Sequence, residues 1–155
     1  EPDFVDALLS LPDSEVDEEV FSTLAATLEH ALAHHPEYAD LHYHCGKVYR
    51  RLGKNADAIA HAERAVDINP RYMNALILLA RLYAQTQREA DGVQRLEEAI
   101  RQGGDHADVH DMLGRLYQKT GQPGRARDAF QRALALNSNL QAAREALSSL
   151  TTAGV

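Results

Sequence analysis

The sequence predicts an all-α fold built from antiparallel helix pairs, and three observations lead to that prediction. The chain of 155 residues repeats itself with a period of 34 residues, in complete copies over 39–72, 73–106 and 107–140. Apolar residues within a copy recur at the i, i+3, i+4 and i+7 spacing of one helix face, as they do from Leu76 to Tyr83. Turn residues split each copy near its middle, so each copy is expected to form two helices.

The repeat is too strong to have arisen by chance. The first and third copies share ten residues at equal positions, against about two expected from average composition. One helix pair cannot bury its apolar face alone, so neighbouring copies are expected to stack. The ten shared residues are, in the first copy, Ala39, Asp40, His42, Gly46, Tyr49, Gly53, Ala58, Arg64, Ala65 and Asn69.

The N-terminal segment, residues 1–38, differs from the rest. It carries ten acidic residues and neither lysine nor arginine, whereas the remainder holds all 16 basic residues of a chain whose formal net charge is -7. Its formal charge is therefore -10, and that of the remainder is +3. We expect a short helix over 4–11, a break at 12–14 where proline removes a helical hydrogen bond, and a long helix over 17–35. The first residue is Glu rather than Met, so we expect a piece of a longer or processed protein.

Seven further helices are predicted after this segment, the last of them a cap on the final copy. Asp105, with Asp108 three residues later, is expected to cap the helix that opens the third copy. We expect the acidic segment 1–38, the repeats over 39–140 and the capping helix and tail over 141–155 to pack as one domain. The predicted helices span 39–52, 56–68, 73–86, 89–102, 107–120, 124–136 and 139–150.

Small residues at fixed positions predict close contact between helices. Glycine or alanine stands at 46, 80 and 114, and alanine stands at 65, 99 and 133. Such side chains let two helix backbones approach closely, and tyrosine and leucine fill the remaining volume. This pattern, together with Pro70, resembles the tetratricopeptide repeat (TPR) family over 39–140. The resemblance implies a right-handed superhelical α-solenoid, to which 17–35 adds half a repeat.

Helix geometry and this resemblance together predict a binding surface on the first helix of each copy. At about 100° per residue, the stripe opposite the packing residues is free, and in the TPR family that stripe lines a concave groove that binds peptides. Lys47, Arg81 and Arg115 are repeat equivalents and would form a basic ladder, unless they are merely solvated. The candidate groove residues are Asp40, Tyr43, Lys47, Arg50, Asn74, Ile77, Arg81, Ala84, Asp108, Asp111, Arg115, Gln118 and Lys119.

One TPR subgroup clamps the acidic C-terminus of chaperones with lysine and asparagine residues. Tyr43, Ile77 and Asp111 stand where that clamp has its outer lysines, and Leu78 stands where it has its middle asparagine. Only Arg115 fits, so we do not expect a chaperone-tail clamp.

Catalytic, metal and cofactor sites are not expected. The sequence has no phosphate-binding glycine loop, no helical zinc motif and no nucleophile elbow. His30 and His34 share a helix face but have no evident third ligand, and Cys45 has leucine at its repeat equivalents, as expected of a core residue. His42 and His110 are expected to be partly buried structural residues.

We therefore expect a protein–protein interaction module that binds a peptide, with acidic peptides favoured. Two alternatives remain at this point: a self-assembling or autoinhibited scaffold in which the acidic segment docks on the basic groove, or the scaffold part of a larger multidomain enzyme. Nucleic acid is not expected as a partner, because the formal net charge is -7 and phosphate binding needs clustered lysine and arginine. A membrane is not expected either, because no stretch approaches the roughly 20 apolar residues of a membrane helix. No targeting signal is apparent, and cytoplasmic localisation is the default expectation.

Overall fold

A computed structural model describes residues 2–12 and 15–153, and all the regular secondary structure within these ranges is helical. None of the helices described there is long and apolar enough to cross a membrane. The expected all-α fold is confirmed. The helices are α1 (Pro2–Ser10), α2 (Glu18–His34), α3 (Ala39–Arg51), α4 (Asn55–Ile68), α5 (Met73–Gln85), α6 (Glu89–Arg101), α7 (Ala107–Lys119), α8 (Pro123–Leu136) and α9 (Gln141–Ala153).

The helix boundaries lie close to those expected from the sequence. Every helix of the three repeats begins and ends within one residue of its predicted bounds. The last helix, α9, begins two residues later and ends three residues later than the predicted 139–150. In the N-terminal segment, Pro12 lies between α1 and α2, and the other two residues of the predicted break fall outside the described part of the chain.

The chain divides into two compact units, Glu1–Leu82 and Tyr83–Val155, here called the N-terminal and C-terminal units. The boundary falls inside α5. In the N-terminal unit, α3 and α4 form an extensive antiparallel pair, with α2 and α1 packed on α3. Its core at this end contains side chains from α1, α2 and α3: Val5, Phe21, Ala25, Leu28, Leu32, Cys45 and Val48.

The expected close approach of helices is present at Gly46. A Cβ atom placed on this glycine would lie 3.2 Å from Leu78 Cδ2 and 3.3 Å from the carbonyl oxygen of Ala58. Gly46 is thus held between α4 and α5. The short side chain at this repeat position brings the helices of the N-terminal unit together.

The C-terminal unit has the same construction around the α7–α8 pair, with α6 packed on α7 and α9 packed on α8. Phe130 of α8 is fully buried and lies directly over Gly114 of α7, where an added Cβ would approach the ring to 2.7 Å. Ala143 is the fully buried residue of α9. The ring of Phe130 therefore occupies the space that a side chain at position 114 would fill.

The turn inside each repeat uses a residue with positive φ. Gly53 and Gly121 have φ of 70° and 71°, and Gln87, which occupies the same repeat position, has φ of 60°. A left-handed backbone suits glycine but is strained for a residue with a Cβ atom. Gln87 therefore keeps a conformation that the repeat imposes and its own side chain disfavours.

Asp105 does not cap α7, so that expectation is wrong. The residue at the cap position is His106, and no side chain donates or accepts a capping hydrogen bond there. Asp105 Oδ1 instead lies 2.8 Å from His110 Nε2 and 3.2 Å from Arg132 Nε. The carboxylate joins α7 to α8, because two side chains offer it stronger partners than a backbone amide would.

Candidate functional site

The candidate groove residues of the N-terminal unit lie on α3 and α5, and none of them is buried. Asp40, Asn74 and Arg81 are exposed. Tyr43, Lys47, Arg50 and Ile77 are half-buried. We call these seven residues the N-terminal face. It is accessible to a ligand, although most of its side chains have neighbours within the protein.

Asp6 of α1 lies on the N-terminal face. Its carboxylate accepts a hydrogen bond from Lys47 Nζ, and the two charged groups form an ion pair. A second contact from the same segment lies close by, where Arg51 Nη2 donates to the carbonyl oxygen of Leu11 at 2.9 Å. α1 therefore runs alongside α3 and places an acidic side chain next to a predicted binding residue.

Tyr43, the aromatic residue of the N-terminal face, packs against a second tyrosine, Tyr72. The ring centroids of Tyr43 and Tyr72 are 5.0 Å apart, and Lys47 Nζ lies 5.1 Å from the centroid of Tyr43. Burial raises the pKa of Tyr72, and a hydrogen bond to Asp40 adds to this effect. Tyr72 was not predicted as a site residue, because it precedes α5 and so lies outside the helical stripe.

Arginine side chains extend the N-terminal face beyond Lys47. Burial lowers the pKa of Arg50, and the nearby charge of Arg81 lowers it further. Two guanidinium groups of like charge thus lie close enough to repel each other. An anionic group bound between them would relieve that repulsion.

The candidate residues of the C-terminal unit are largely paired with each other or with neighbours. Arg115 Nε donates to Asp111 Oδ2 at 2.9 Å, one helical turn away. Lys119 Nζ lies 3.2 Å from Glu89 Oε1 and donates to the carbonyl oxygen of Ala84 at 2.8 Å. The remaining candidates, Asp108 and Gln118, are exposed.

These contacts change how the basic ladder is interpreted. Lys47 and Arg115 each have a carboxylate partner within the chain, whereas Arg81 is exposed and among the described residues has no hydrogen-bond or ion-pair partner. Equivalent repeat positions therefore differ in their environment. The groove assignment and the role of the ladder stay predictions.

Potential metal-ligating atoms come together at a different place from the histidine pair considered above. His30 and His34 are exposed, with ring centroids 5.0 Å apart. Glu29, Cys45 and His61, in contrast, offer ligand atoms that all lie within 4.8 Å of one another. Burial raises the pKa of the Cys45 thiol to about 12, and the charge of Glu29 contributes. The three residues come from three helices, so their spacing along the sequence did not reveal the cluster.

Comparison with known proteins adds independent information. Three family models, each described as tetratricopeptide repeat, match residues 49–116, 107–140 and 25–72. No curated protein matches the chain at a significant level. Together the family matches run without a gap from the second helix of the N-terminal segment to the end of the third repeat.

Several solved structures are similar to this chain. A crystal structure of MamA is 19% identical, has a TM-score of 0.77, and aligns over 86% of this chain and 78% of that one. YrrB, a TPR protein with an unusual peptide-binding site, is 23% identical with a TM-score of 0.68, over 81% of this chain and 65% of that one. The first TPR of Spaghetti (RPAP3), bound to the HSP90 peptide SRMEEVD, is 19% identical with a TM-score of 0.68, over 74% and 91%.

At these identities the structural similarities show the fold alone, and the family matches show the family. The spacing of small residues and tyrosines noted in the sequence agrees with both. The chain belongs to the tetratricopeptide repeat family.

Proposed function

We propose that the protein is a protein–protein interaction module whose N-terminal face binds an acidic peptide of a partner. Membership of the TPR family supports an interaction module, and the solved relatives YrrB and RPAP3 are described with peptide-binding sites or bound peptides. No catalytic role is proposed for any residue of this chain.

The single observation that carries the preference for an acidic ligand is the Asp6–Lys47 contact. It places a carboxylate beside the ammonium of Lys47, which in turn lies over the ring of Tyr43. The side chain of Lys47 is only 20% exposed, whereas that of Asp6 is 53% exposed. A partner's carboxylate could take the place of Asp6 without displacing the more buried lysine.

Arg81 supplies a second contact for such a ligand. Its guanidinium is exposed, and its positive charge adds to the effect of burial in lowering the pKa of Arg50. Anions bind well to guanidinium groups, which offer several N–H donors in one plane. A peptide with two acidic side chains would thus engage Lys47 and the arginine pair together, and the tyrosines would contact the apolar parts of its chain.

The experiment is a binding measurement on arrayed fluorescent peptides, each acidic sequence paired with a version in which lysine replaces glutamate and aspartate. The wild-type chain should bind a subset of acidic peptides and none of their basic counterparts. The Lys47→Glu, Arg81→Glu double variant should lose that binding while its helical circular dichroism is unchanged.

The matched control reverses two exposed charges away from the face, in the variant Lys54→Glu, Arg64→Glu. This variant has the same net charge as the first and should bind like the wild type. Equal loss in both variants would show a general charge effect, and retained binding in the first would show that the face is wrongly assigned.

A second candidate function, autoinhibition by the N-terminal segment, is favoured by the same contact. In this version α1 occupies the position of the peptide until a partner displaces it. Removing the Asp6 carboxylate should strengthen peptide binding in both versions, because both remove it from Lys47. Only displacement of α1 as a whole should make α1 more sensitive to protease when the peptide is bound, and limited proteolysis with and without peptide separates the two versions.

A further inference from the structure

The N-terminal unit contains a cluster of polar side chains between α2, α3 and α4 that peptide binding does not require. Glu29 Oε1 accepts a hydrogen bond from Tyr49 Oη at 2.9 Å and lies 2.9 Å from His61 Nε2. His61 Nδ1 lies 3.0 Å from His42 Nδ1, and His42 Nε2 lies 3.1 Å from the carbonyl oxygen of Pro36. The cluster is therefore a continuous chain of polar contacts ending on two oxygens.

This row of polar contacts needs more N–H groups than the imidazole rings of His42 and His61 provide when both are neutral. The Pro36 carbonyl and the Glu29 carboxylate can only accept, so each of the three contacts made by His42 and His61 needs one N–H group. Two neutral imidazoles supply two such groups. One contact is therefore left without a donor. One additional positive centre, a proton or a metal ion, would satisfy it.

The sulfur of Cys45 indicates which positive centre fits. Its Sγ lies within 4.8 Å of the ligand atoms of Glu29 and His61, and the residue is fully buried. A divalent metal ion gains a third ligand, because imidazole, thiolate and carboxylate are the ligands that zinc takes in proteins.

The repeat provides an internal comparison. Glu97 and Tyr117, the equivalents of Glu29 and Tyr49, are 2.5 Å apart, so the tyrosine–glutamate pair is a general element of this fold. Beside Glu97, however, the positive charge comes from an arginine: Arg125 Nη2 lies 2.6 Å from Glu97 Oε1. Leu113 and Ala129 stand where the first repeat has Cys45 and His61. The combination of glutamate, cysteine and histidine therefore occurs at one repeat position only. At the equivalent position around Glu97, the guanidinium of Arg125 is present instead.

We propose that Glu29, Cys45 and His61 bind a zinc-class divalent metal ion that ties α2 to the α3–α4 pair. Tetrahedral zinc sites place their ligand atoms roughly 3.3–3.8 Å apart. The His61 Nε2–Glu29 Oε1 pair, at 2.9 Å, would therefore open slightly, and the sulfur, within 4.8 Å of both, would move in by up to about 1 Å. On binding, the Cys45 thiol releases its proton to solvent and the thiolate takes the metal.

The arrangement around the ligands suits such a site. A metal on His61 Nε2 would leave the ring proton on Nδ1, so that His42 Nδ1, 3.0 Å away, accepts it and His42 Nε2–H donates to the Pro36 carbonyl. These two contacts would hold the ring of His61 with Nε2 towards the metal. The side chain of Glu29 is 43% exposed, so the fourth coordination position faces solvent and takes a water molecule. His42 is thus a positioning residue and not a ligand.

The test titrates the intact chain with Co²⁺ alone, because cobalt replaces zinc and reports a bound thiolate through a charge-transfer absorption band. We expect one Co²⁺ per chain with that band, and Zn²⁺ should displace it. Cys45→Ala should remove the band, and His61→Ala and Glu29→Gln should weaken binding at least tenfold. His42→Ala should weaken it about 10- to 100-fold with the band retained.

The control is the His30→Ala, His34→Ala double variant, which removes the exposed histidine pair and should leave the band unchanged. Circular dichroism tests the folding of each variant, and Glu29→Gln, at a half-exposed position, keeps the proposal testable if Cys45→Ala does not fold. Absence of the charge-transfer band in the wild type would overturn the proposal. So would binding that survives in His61→Ala and is lost in the control variant.

Discussion

Asp6 and Lys47, 41 residues apart in the sequence, form an ion pair on the face where the repeats predict ligand binding. The acidic N-terminal segment and the basic residues of the first repeat are therefore in direct contact. A partner peptide that uses Lys47 must compete with this intramolecular carboxylate.

The first prediction follows from that competition. Asp6→Ala should strengthen binding of acidic peptides severalfold, because up to about 1 kcal/mol of surface ion pairing no longer opposes it. The difference from wild type should shrink as ionic strength rises above about 0.1 M. Fluorescence anisotropy with one array-selected peptide measures both effects. Glu15→Ala, which removes an exposed charge from the same segment, should bind like the wild type.

The second prediction concerns the contact between Gly114 and Phe130. Gly114→Ala should lower the melting temperature, because an added Cβ meets the buried ring at 2.7 Å. Overpacking costs about 1–3 kcal/mol, which exceeds the gain of about 1 kcal/mol in helix propensity. Gly124→Ala, also helical but with open space around its Cβ, should be neutral or stabilising. Equal melting temperatures in both variants would contradict the close packing.

The third prediction concerns the strained turn at Gln87. Gln87→Gly should raise the free energy of unfolding by about 1 kcal/mol, because glycine adopts φ near 60° without a steric penalty. Gly121→Ala, at the equivalent position with φ of 71°, should lower it by a similar amount. Urea denaturation measures both changes, and effects of the same sign would refute the interpretation.

The fourth prediction is a pH dependence that arises from Asp105. Hydrogen bonds from Arg132 and then His110 lower the pKa of this carboxyl from 3.8 to about 2. A carboxyl whose pKa is depressed by folding stabilises the protein above its unfolded pKa, and that stabilisation is lost as the pH falls from about 4 to about 2. Asp105→Asn should therefore unfold at lower urea concentration than wild type at neutral pH, and the difference should narrow in acid. A constant difference over that range would contradict the assignment.

Much of the fold could be predicted because the repeat encodes it locally. Leu79, Gly114 and Tyr117 stand at positions whose spacing alone identifies a helix face, and the glycines near the turns identify where helices end. Predicted and observed helix bounds in the repeats agree within one residue for this reason. The assignment to the TPR family rests on the same periodic information.

The candidate site could be predicted only in part. Helical geometry predicts an exposed side chain for Arg81, and Arg81 is exposed. It could not predict the ion pair between Lys47 and Asp6, because the spacing of the repeat does not specify how the N-terminal segment packs. The choice of Asp105 as a cap was wrong because partners from α7 and α8 were not visible in the local sequence.

The sequence by itself determined the period, the helices and the positions of close packing, because these depend on residues at most one repeat apart and recur in each copy. Only the tertiary structure decided which charges are paired and that Glu29, Cys45 and His61 converge from three helices. Those contacts depend on the packing of side chains that occur once in the chain. A periodic pattern carries no information about residues that break the period.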